Sequence, residues 1–446
     1  MKNYIIRNAA IVNEGTISHQ DVLIQSGRIE RIDPVVDKLT NHKEIDAEGL
    51  YLLPGVIDDQ VHFREPGLTH KACIATESKA ALAGGTTSFM EMPNTVPNTL
   101  TQELLEQKYA IAEKTSWTNY SFFMGGSNDN YEEAMKTDLA KVCGLKLFMG
   151  SSTGNMLVDN EEALNRFFGN FEGLIATHCE DEATVKANLA HYKALYEGKS
   201  LPYDIHALIR NEEACYRSSS FATDLAKKNG TRLHILHIST GEELELFDNS
   251  LPLTQKKITS EVCVHHLYFD AEDYREFGNQ IKCNPAIKHN HREALMQGLL
   301  DDRLDIIATD HAPHTWEEKS TDYWSAPSGV PLVQHSLQVM LDFYLQGKIS
   351  LEKVVEKMAH APADCFKVRE RGYIREGYWA DLVLVDLQKP FSVTKDSLQY
   401  RCGWSPFEEK TFGSTVMKTF VSGELKYDNG DFFFDEPGRR LTFNLR

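Results

Sequence analysis

The side chains able to do chemistry in this sequence gather where apolar runs end. One run ends in Asp58-Asp59-Gln60-Val61-His62-Phe63-Arg64, and the next in Met92-Pro93-Asn94. Lys146 stands between Leu145 and Leu147. Then come His178-Cys179-Glu180-Asp181, the set His234, His237 and Ser239, the pair His265-His266, and Thr309-Asp310-His311-Ala312-Pro313-His314. A single histidine beside an apolar run is ordinarily a hydrogen-bonded core or rim residue. Imidazoles and carboxylates from several runs at once suit Zn²⁺, Mn²⁺ or Co²⁺, so the pattern points to a catalytic metal centre. Lys146 raises a separate question, because an ammonium inside an apolar strand must pair, lose its charge or be modified. Two readings stand: an ion pair with a carboxylate, or carbamylation by CO₂ into an anion that bridges two metals.

The elements that position these groups are legible in outline. Near-continuously apolar runs fall at 52–58, 86–92, 120–125, 144–149, 174–177, 233–238, 258–264 and 305–309. Helix-like stretches at 69–83, 101–114, 161–168, 210–228 and 291–300 lie between them. Such β–α alternation predicts a parallel sheet, and eight strands close a (β/α)8 TIM-type barrel whose catalytic groups sit at the C-terminal strand ends. Short strands at 4–12, 21–25 and 29–32, and again at 380–386, 415–421 and 424–427, are broken by Gly-containing turns. Neither set makes a domain alone; together they predict one small β-sandwich. The expected division is a barrel over 54–371, with 1–53 and 372–446 forming the sandwich.

Composition narrows the function. The chain has 446 residues, 41% hydrophobic and 25% charged, so disorder and disulfide-stapled miniproteins are excluded. A net charge of −18 argues against coating nucleic acid. A small anionic substrate stays compatible, since a cationic pocket can sit inside an acidic protein. No CxxC pair occurs among the eight cysteines, which predicts a reduced, cytoplasmic protein. Residues 1–13 read as a strand, not a signal peptide, and no apolar run is long enough to span a bilayer.

The segment Pro54-Gly55-Val56-Ile57-Asp58-Asp59-Gln60-Val61-His62-Phe63-Arg64-Glu65-Pro66-Gly67 resembles the opening signature of dihydroorotases, in the amidohydrolase superfamily. So do Met92-Pro93-Asn94-Thr95, Gly144-Leu145-Lys146-Leu147, Thr177 through Asp181, His237-Ile238-Ser239-Thr240, Glu261 through His266, Asn284-Pro285 and Ala308 through His314. Gly377 through Asp386 looks like the returning sandwich strand of that superfamily. The resemblance runs in order over nearly the whole chain. It implies the barrel with its sandwich, and a metal-activated water that attacks a cyclic amide. It implies that His62, Lys146 and Asp310 hold one zinc, and that Lys146 as N6-carboxylysine, His178 and His237 hold the other. Asp310 would be the general base and then acid. The reaction implied is the reversible hydrolysis of (S)-dihydroorotate to N-carbamoyl-L-aspartate, in pyrimidine (UMP) biosynthesis.

The resemblance also implies that Arg64, Asn94 and His314 clamp the substrate carboxylate and that Asn284 reads its ring. Ser328 and Gly329 complete the substrate-binding set. Hydantoinases and allantoinases share the metal ligands, but their substrates lack that carboxylate. Two departures stand out. Gln60 occupies the first place of a His-x-His motif, and Ala286-Ile287-Lys288 stands where Pro-Leu-Arg is usual. An amide oxygen is a weaker ligand than imidazole, so the expectation is one firmly bound zinc and a weaker second. Partner readings are a homodimer and an aspartate transcarbamoylase, the latter also for a catalytically weakened scaffold.

Overall fold

The computed structural model describes residues 2–150 and 156–445. Eight parallel strand positions close the barrel. They are Val56–Val61, Thr86–Glu91, Asn119–Phe122 continued by Met124–Gly125, Leu145–Phe148, Leu174–His178, Arg232–Ile235, Ile258–Cys263 and Ile306–Ala308. Each pairs in parallel with the next, and a parallel bridge between Val61 and His311 joins last to first. Most barrel-strand residues are buried, as strands covered on both faces must be.

The apolar run expected at 52–58 is two strands. Tyr51–Pro54 belongs to the outer sheet, where it pairs with Leu382–Val385, and Val56–Val61 opens the barrel. The break falls at Gly55, where a Cβ would lie 2.1 Å from Thr87 Oγ1. Only glycine lets the chain cross from one sheet to the other that close to the second strand.

The outer sheet draws on both chain ends. Its order runs from Asp431–Phe432 through Glu424–Asp428, Thr415–Val421, Leu382–Asp386, Tyr51–Pro54, Asn3–Asn13 and Thr16–Gln25 to Arg28–Asp33. His42–Asp46 adds to Asn3–Asn13. Tyr4 and Phe420 sit three strands apart in that order, roughly 14 Å in a flat sheet. Their rings nevertheless meet edge to face at 5.3 Å. The sheet therefore folds over itself as a sandwich, around Ile6, Ile11, Val22, Ile24, Leu382 and Leu384.

The helices start and stop on local signals. Thr101, Asn160, Asp181 and Asn211 each cap a helix through a side-chain oxygen. Gly230, at φ 71°, ends Glu212–Asn229. Two helices, Glu182–Leu195 and Ile205–Ile209, follow the fifth strand where the sequence pattern indicated none. Among the described residues no helix is long and apolar enough to cross a membrane.

Candidate metal centre

The residues singled out by sequence meet at the C-terminal mouth of the barrel. The first strand is irregular between Asp58 and Val61, which brings Gln60 and His62 to the same pocket. His62 Nδ1 lies 2.7 Å from Asn94 Oδ1, so that nitrogen carries the proton and donates. The other nitrogen, Nε2, is then bare and 3.1 Å from Asp310 Oδ1. Gln60 donates its amide to the same oxygen at 3.2 Å. Asp310 sits at φ 48°, in the left-handed region, with its carboxylate between His62 and Gln60. Asp58 lies one layer deeper. It ties the first strand to the eighth by accepting from Thr309 Oγ1 at 2.6 Å, and burial pushes its carboxyl up to about 8.

A second set lies across the pocket. His178 Nδ1 and His237 Nε2 are 2.9 Å apart. His178 Nε2 is 2.9 Å from Glu180 Oε2, and Arg210 grips the same oxygen at 2.6 Å. Burial alone would raise Glu180, but Arg210 and His178 hold it well below the usual carboxylate range. A charged Glu180 fixes the proton on His178 Nε2 and leaves Nδ1 bare toward His237, the usual orientation of a metal-ligating histidine. Burial lowers the pKa of both imidazoles, so they stand in the neutral, ligating form. His237, at φ 42°, keeps a buried Nδ1 without a partner.

Lys146 reaches in from the fourth strand. It is 1% exposed, its Nζ has no partner, and burial pulls its pKa down to about 7. The ion pair offered by one sequence reading is not formed among the described residues. Carbamylation requires a neutral amine, and burial brings a substantial neutral fraction within reach at neutral pH. Three imidazoles, a carboxylate and that amine, with bare nitrogens turned inward, fit a bound divalent cation.

Above the centre lies a cationic rim. Arg64, at φ 68°, donates Nε to the Pro313 carbonyl at 3.1 Å, and its Nη2 lies 3.0 Å from His314 Nε2. The ordinary alternative for Arg64, a salt bridge with Glu65, is absent; Glu65 accepts from the Ile74 N–H instead. The guanidinium is buried with no carboxylate partner among the described residues, and burial lowers its pKa to about 10. Lys71 Nζ, which sequence reading missed, lies 3.0 Å from His314 Nδ1 and is paired with Glu318 at 3.0 Å.

The rest of the expected substrate set divides. Asn94 spends its oxygen on His62, leaving its amide N–H groups to donate. Asn284 lies on another wall, 3.1 Å from His206 Nε2. The Ser328 carbonyl is 3.0 Å from His314 Nε2. A Cβ on Gly329 would meet His314 Cδ2 at 2.9 Å, so Ser328 and Gly329 act by holding His314.

Comparison with known proteins agrees with this geometry. The sequence pattern of the amidohydrolase family matches residues 51–426. A dihydroorotase from Halobacterium salinarum is 33% identical over 434 residues, covering 95% of this chain and 99% of that protein. One from Listeria welshimeri is 32% identical, covering 96% and 99%. Among solved structures, the L-hydantoinase (dihydropyrimidinase) of Arthrobacter aurescens superposes with a TM-score of 0.93 at 25% identity, covering 99% of this chain and all of that one. The dihydropyrimidinase of Brevibacillus agri reaches 0.87 at 24%, covering 99% of each chain, and shares the fold.

Proposed function

This chain belongs to the amidohydrolase family, and from that premise we propose that it is a dihydroorotase, interconverting (S)-dihydroorotate and N-carbamoyl-L-aspartate. The observation that carries the substrate class is Arg64, a buried guanidinium with no protein carboxylate beside it. A cation so placed is costly unless an anion completes it, and a carboxylate matches its two-pronged donor face.

Zinc held by His62, Asp310 and a carbamylated Lys146, and by that carbamate with His178 and His237, would acidify a water and polarise the scissile carbonyl. The chain's own groups do the rest. Asn94 fixes the His62 tautomer, and the Glu180–Arg210 pair fixes that of His178. Arg64, His314 and the Asn94 amide hold the substrate carboxylate, with Lys71 reinforcing His314. Asn284 reads the ring from the far wall. Asp310 takes the proton from the attacking water at its carboxylate and returns it to the ring nitrogen as the amide bond breaks. Ring closure runs the same steps backward. Eight free cysteines, six of them buried, and the metabolic substrate fit a reducing cytoplasm. The homodimer and the aspartate transcarbamoylase remain the proposed partners.

A hydantoinase-like activity is the second reading, supported by the similarity of fold to the Arthrobacter enzyme. An uncharged ring would leave Arg64 uncompensated. Zinc-loaded protein should therefore turn over dihydroorotate far faster than hydantoin. Arg64→Met should cut kcat/KM for dihydroorotate by about 100-fold, the scale of losing two charge-assisted hydrogen bonds, and that for hydantoin much less. Equal losses on both substrates would make Arg64 structural and remove the case for dihydroorotate. No turnover of either by metal-replete protein would favour the scaffold.

A further inference from the structure

The end of the seventh strand carries ligand-type side chains that the proposed reaction does not use. Cys263 is the last residue of Ile258–Cys263, and His265 and His266 follow in the short helix Val264–Tyr268. All three are at most 3% exposed. One donor atom from each lies within 4.8 Å of the others. His266 Nε2 is 3.1 Å from the Pro285 carbonyl, so that nitrogen carries the proton and donates. Its Nδ1 is bare, buried and without a partner. Neither ring nitrogen of His265 forms a hydrogen bond of good geometry, the Thr309 backbone being its one weak contact. The Cys263 thiol makes one weak contact, donating to Gln60 Oε1 at 3.7 Å. An unpaired buried polar group is costly, and several gathered together call for a ligand.

A neighbouring cluster is held together largely by its own charges, with the Asp59 carboxylate making no hydrogen bond beyond its contact with His234. Asp59, His234 and Glu261 also bring ligand atoms together. There, His234 Nε2 sits 3.3 Å from Asp59 and 3.2 Å from Glu261, and its Nδ1 is 2.8 Å from Thr259 Oγ1. Glu261 also accepts from the His237 N–H at 3.1 Å. That triad places an imidazole between two carboxylates and braces the His237 backbone through Glu261, so its charges are compensated within the chain.

We propose that Cys263, His265 and His266 bind a further Zn²⁺ ion beside Gln60, separate from the metals assigned to His62, Lys146, His178, His237 and Asp310. Thiolate and imidazole are the donor types zinc favours over magnesium or calcium. Binding replaces the thiol proton, which leaves to solvent, so the site gains one thiolate and two neutral imidazoles. Gln60 Oε1, already against the thiol, is placed to be a fourth donor. Donors on a tetrahedral zinc stand about 3.3–3.6 Å apart, so small rotations of the three side chains close the set.

Cobalt substitution tests this without relying on activity. Protein stripped with chelator and refilled with Co²⁺ should show a thiolate-to-cobalt charge-transfer band in the near ultraviolet. It should also hold a metal equivalent more than a Cys263→Ser variant, which should lack the band. Cys179→Ser, which removes the thiol beside His178, should keep both band and equivalent. A His265→Ala/His266→Ala variant with wild-type circular dichroism should lose the same equivalent, and it carries the test if Cys263→Ser does not fold. Folded, cobalt-loaded wild type with no such band would overturn the proposal. So would a band and metal count unchanged in Cys263→Ser or in the double-histidine variant.

Discussion

Two regions of this molecule bury polar groups at similar depth and treat them differently. At the seam between barrel and sandwich, Asp381 accepts from the Ser422 N–H at 2.6 Å and from Asn119 Nδ2 at 3.0 Å, and it pairs with Arg371. Arg371 reaches Ser422 Oγ at 3.2 Å, and Asn119 Oδ1 accepts from Ser422 Oγ and the Arg439 N–H. At the barrel mouth, Lys146 Nζ, His237 Nδ1 and His266 Nδ1 are buried with no hydrogen-bond partner. The seam is complete within the chain, so its polarity serves stability and register. The mouth is complete only with something added, so its polarity serves binding and chemistry. Substitutions at the two places should separate along that line.

The largest separation is expected at Asp310. Asp310→Asn keeps an oxygen toward His62 but cannot take a proton, so kcat should fall by at least the roughly 10²–10⁴-fold that acid–base groups supply. Melting temperature and metal content should stay near wild type. A variant retaining more than about a tenth of kcat would remove Asp310 from the proton path.

Lys146→Ala should come next, losing metal as well as turnover. Short carboxylic acids should restore part of both, because a carboxylate can fill the space of the carbamate. Mass spectrometry of native protein should show Lys146 heavier by CO₂. An unmodified Lys146 in fully active protein would end the bridging role and leave the lowered pKa as a consequence of burial alone.

Asp381→Ala is the mirror case. It strands the Arg371 guanidinium and two N–H donors, which should cost about 3–5 kcal/mol of unfolding free energy, read from the urea midpoint. Activity per folded molecule should hardly change. A selective loss of kcat with intact stability would erase the distinction between seam and mouth.

How far the sequence carries depends on the range of the interaction. The strand positions of the barrel were legible because each buried strand is an apolar run with a polar end, a local signal. His62, Lys146, His178, His237 and Asp310 were legible because they stand at those ends in a familiar order. The division at Gly55 was not, since only contact with Thr87 shows that one apolar run serves two sheets. Nor was the Glu180–Arg210 strut, whose members lie 30 residues apart on separate elements. Lys71 looked like any loop lysine until the fold set it against His314. The sequence placed the pair His265-His266 among the strand-end groups, but only the fold shows them converging with Cys263, whose thiol lies against Gln60.

The smallest expected effect belongs to Gln60, and it bears on the mouth alone. Its amide donates to Asp310 and receives the Cys263 thiol, so it fills an imidazole position with hydrogen bonds instead of a strong ligand. In the proposed centre one metal would keep His62, Asp310 and the carbamate, while the other would keep His178, His237 and the carbamate. The second set has two imidazoles to the first set's one, so the two metals should differ in affinity. Dialysed protein should keep the metal at His178 and His237 and shed the one at His62 and Asp310. Gln60→His should tighten the shed metal by about 10-fold or more, the scale on which even outer-shell partners of metal ligands act. Stability should move little, because the new ring replaces a buried side chain of similar reach. Chelator competition on wild type and variant measures both metals at once. Equal retention of the two in wild type, unchanged by Gln60→His, would mean that three ligands suffice at the first position and that Gln60 is part of the completed structure after all.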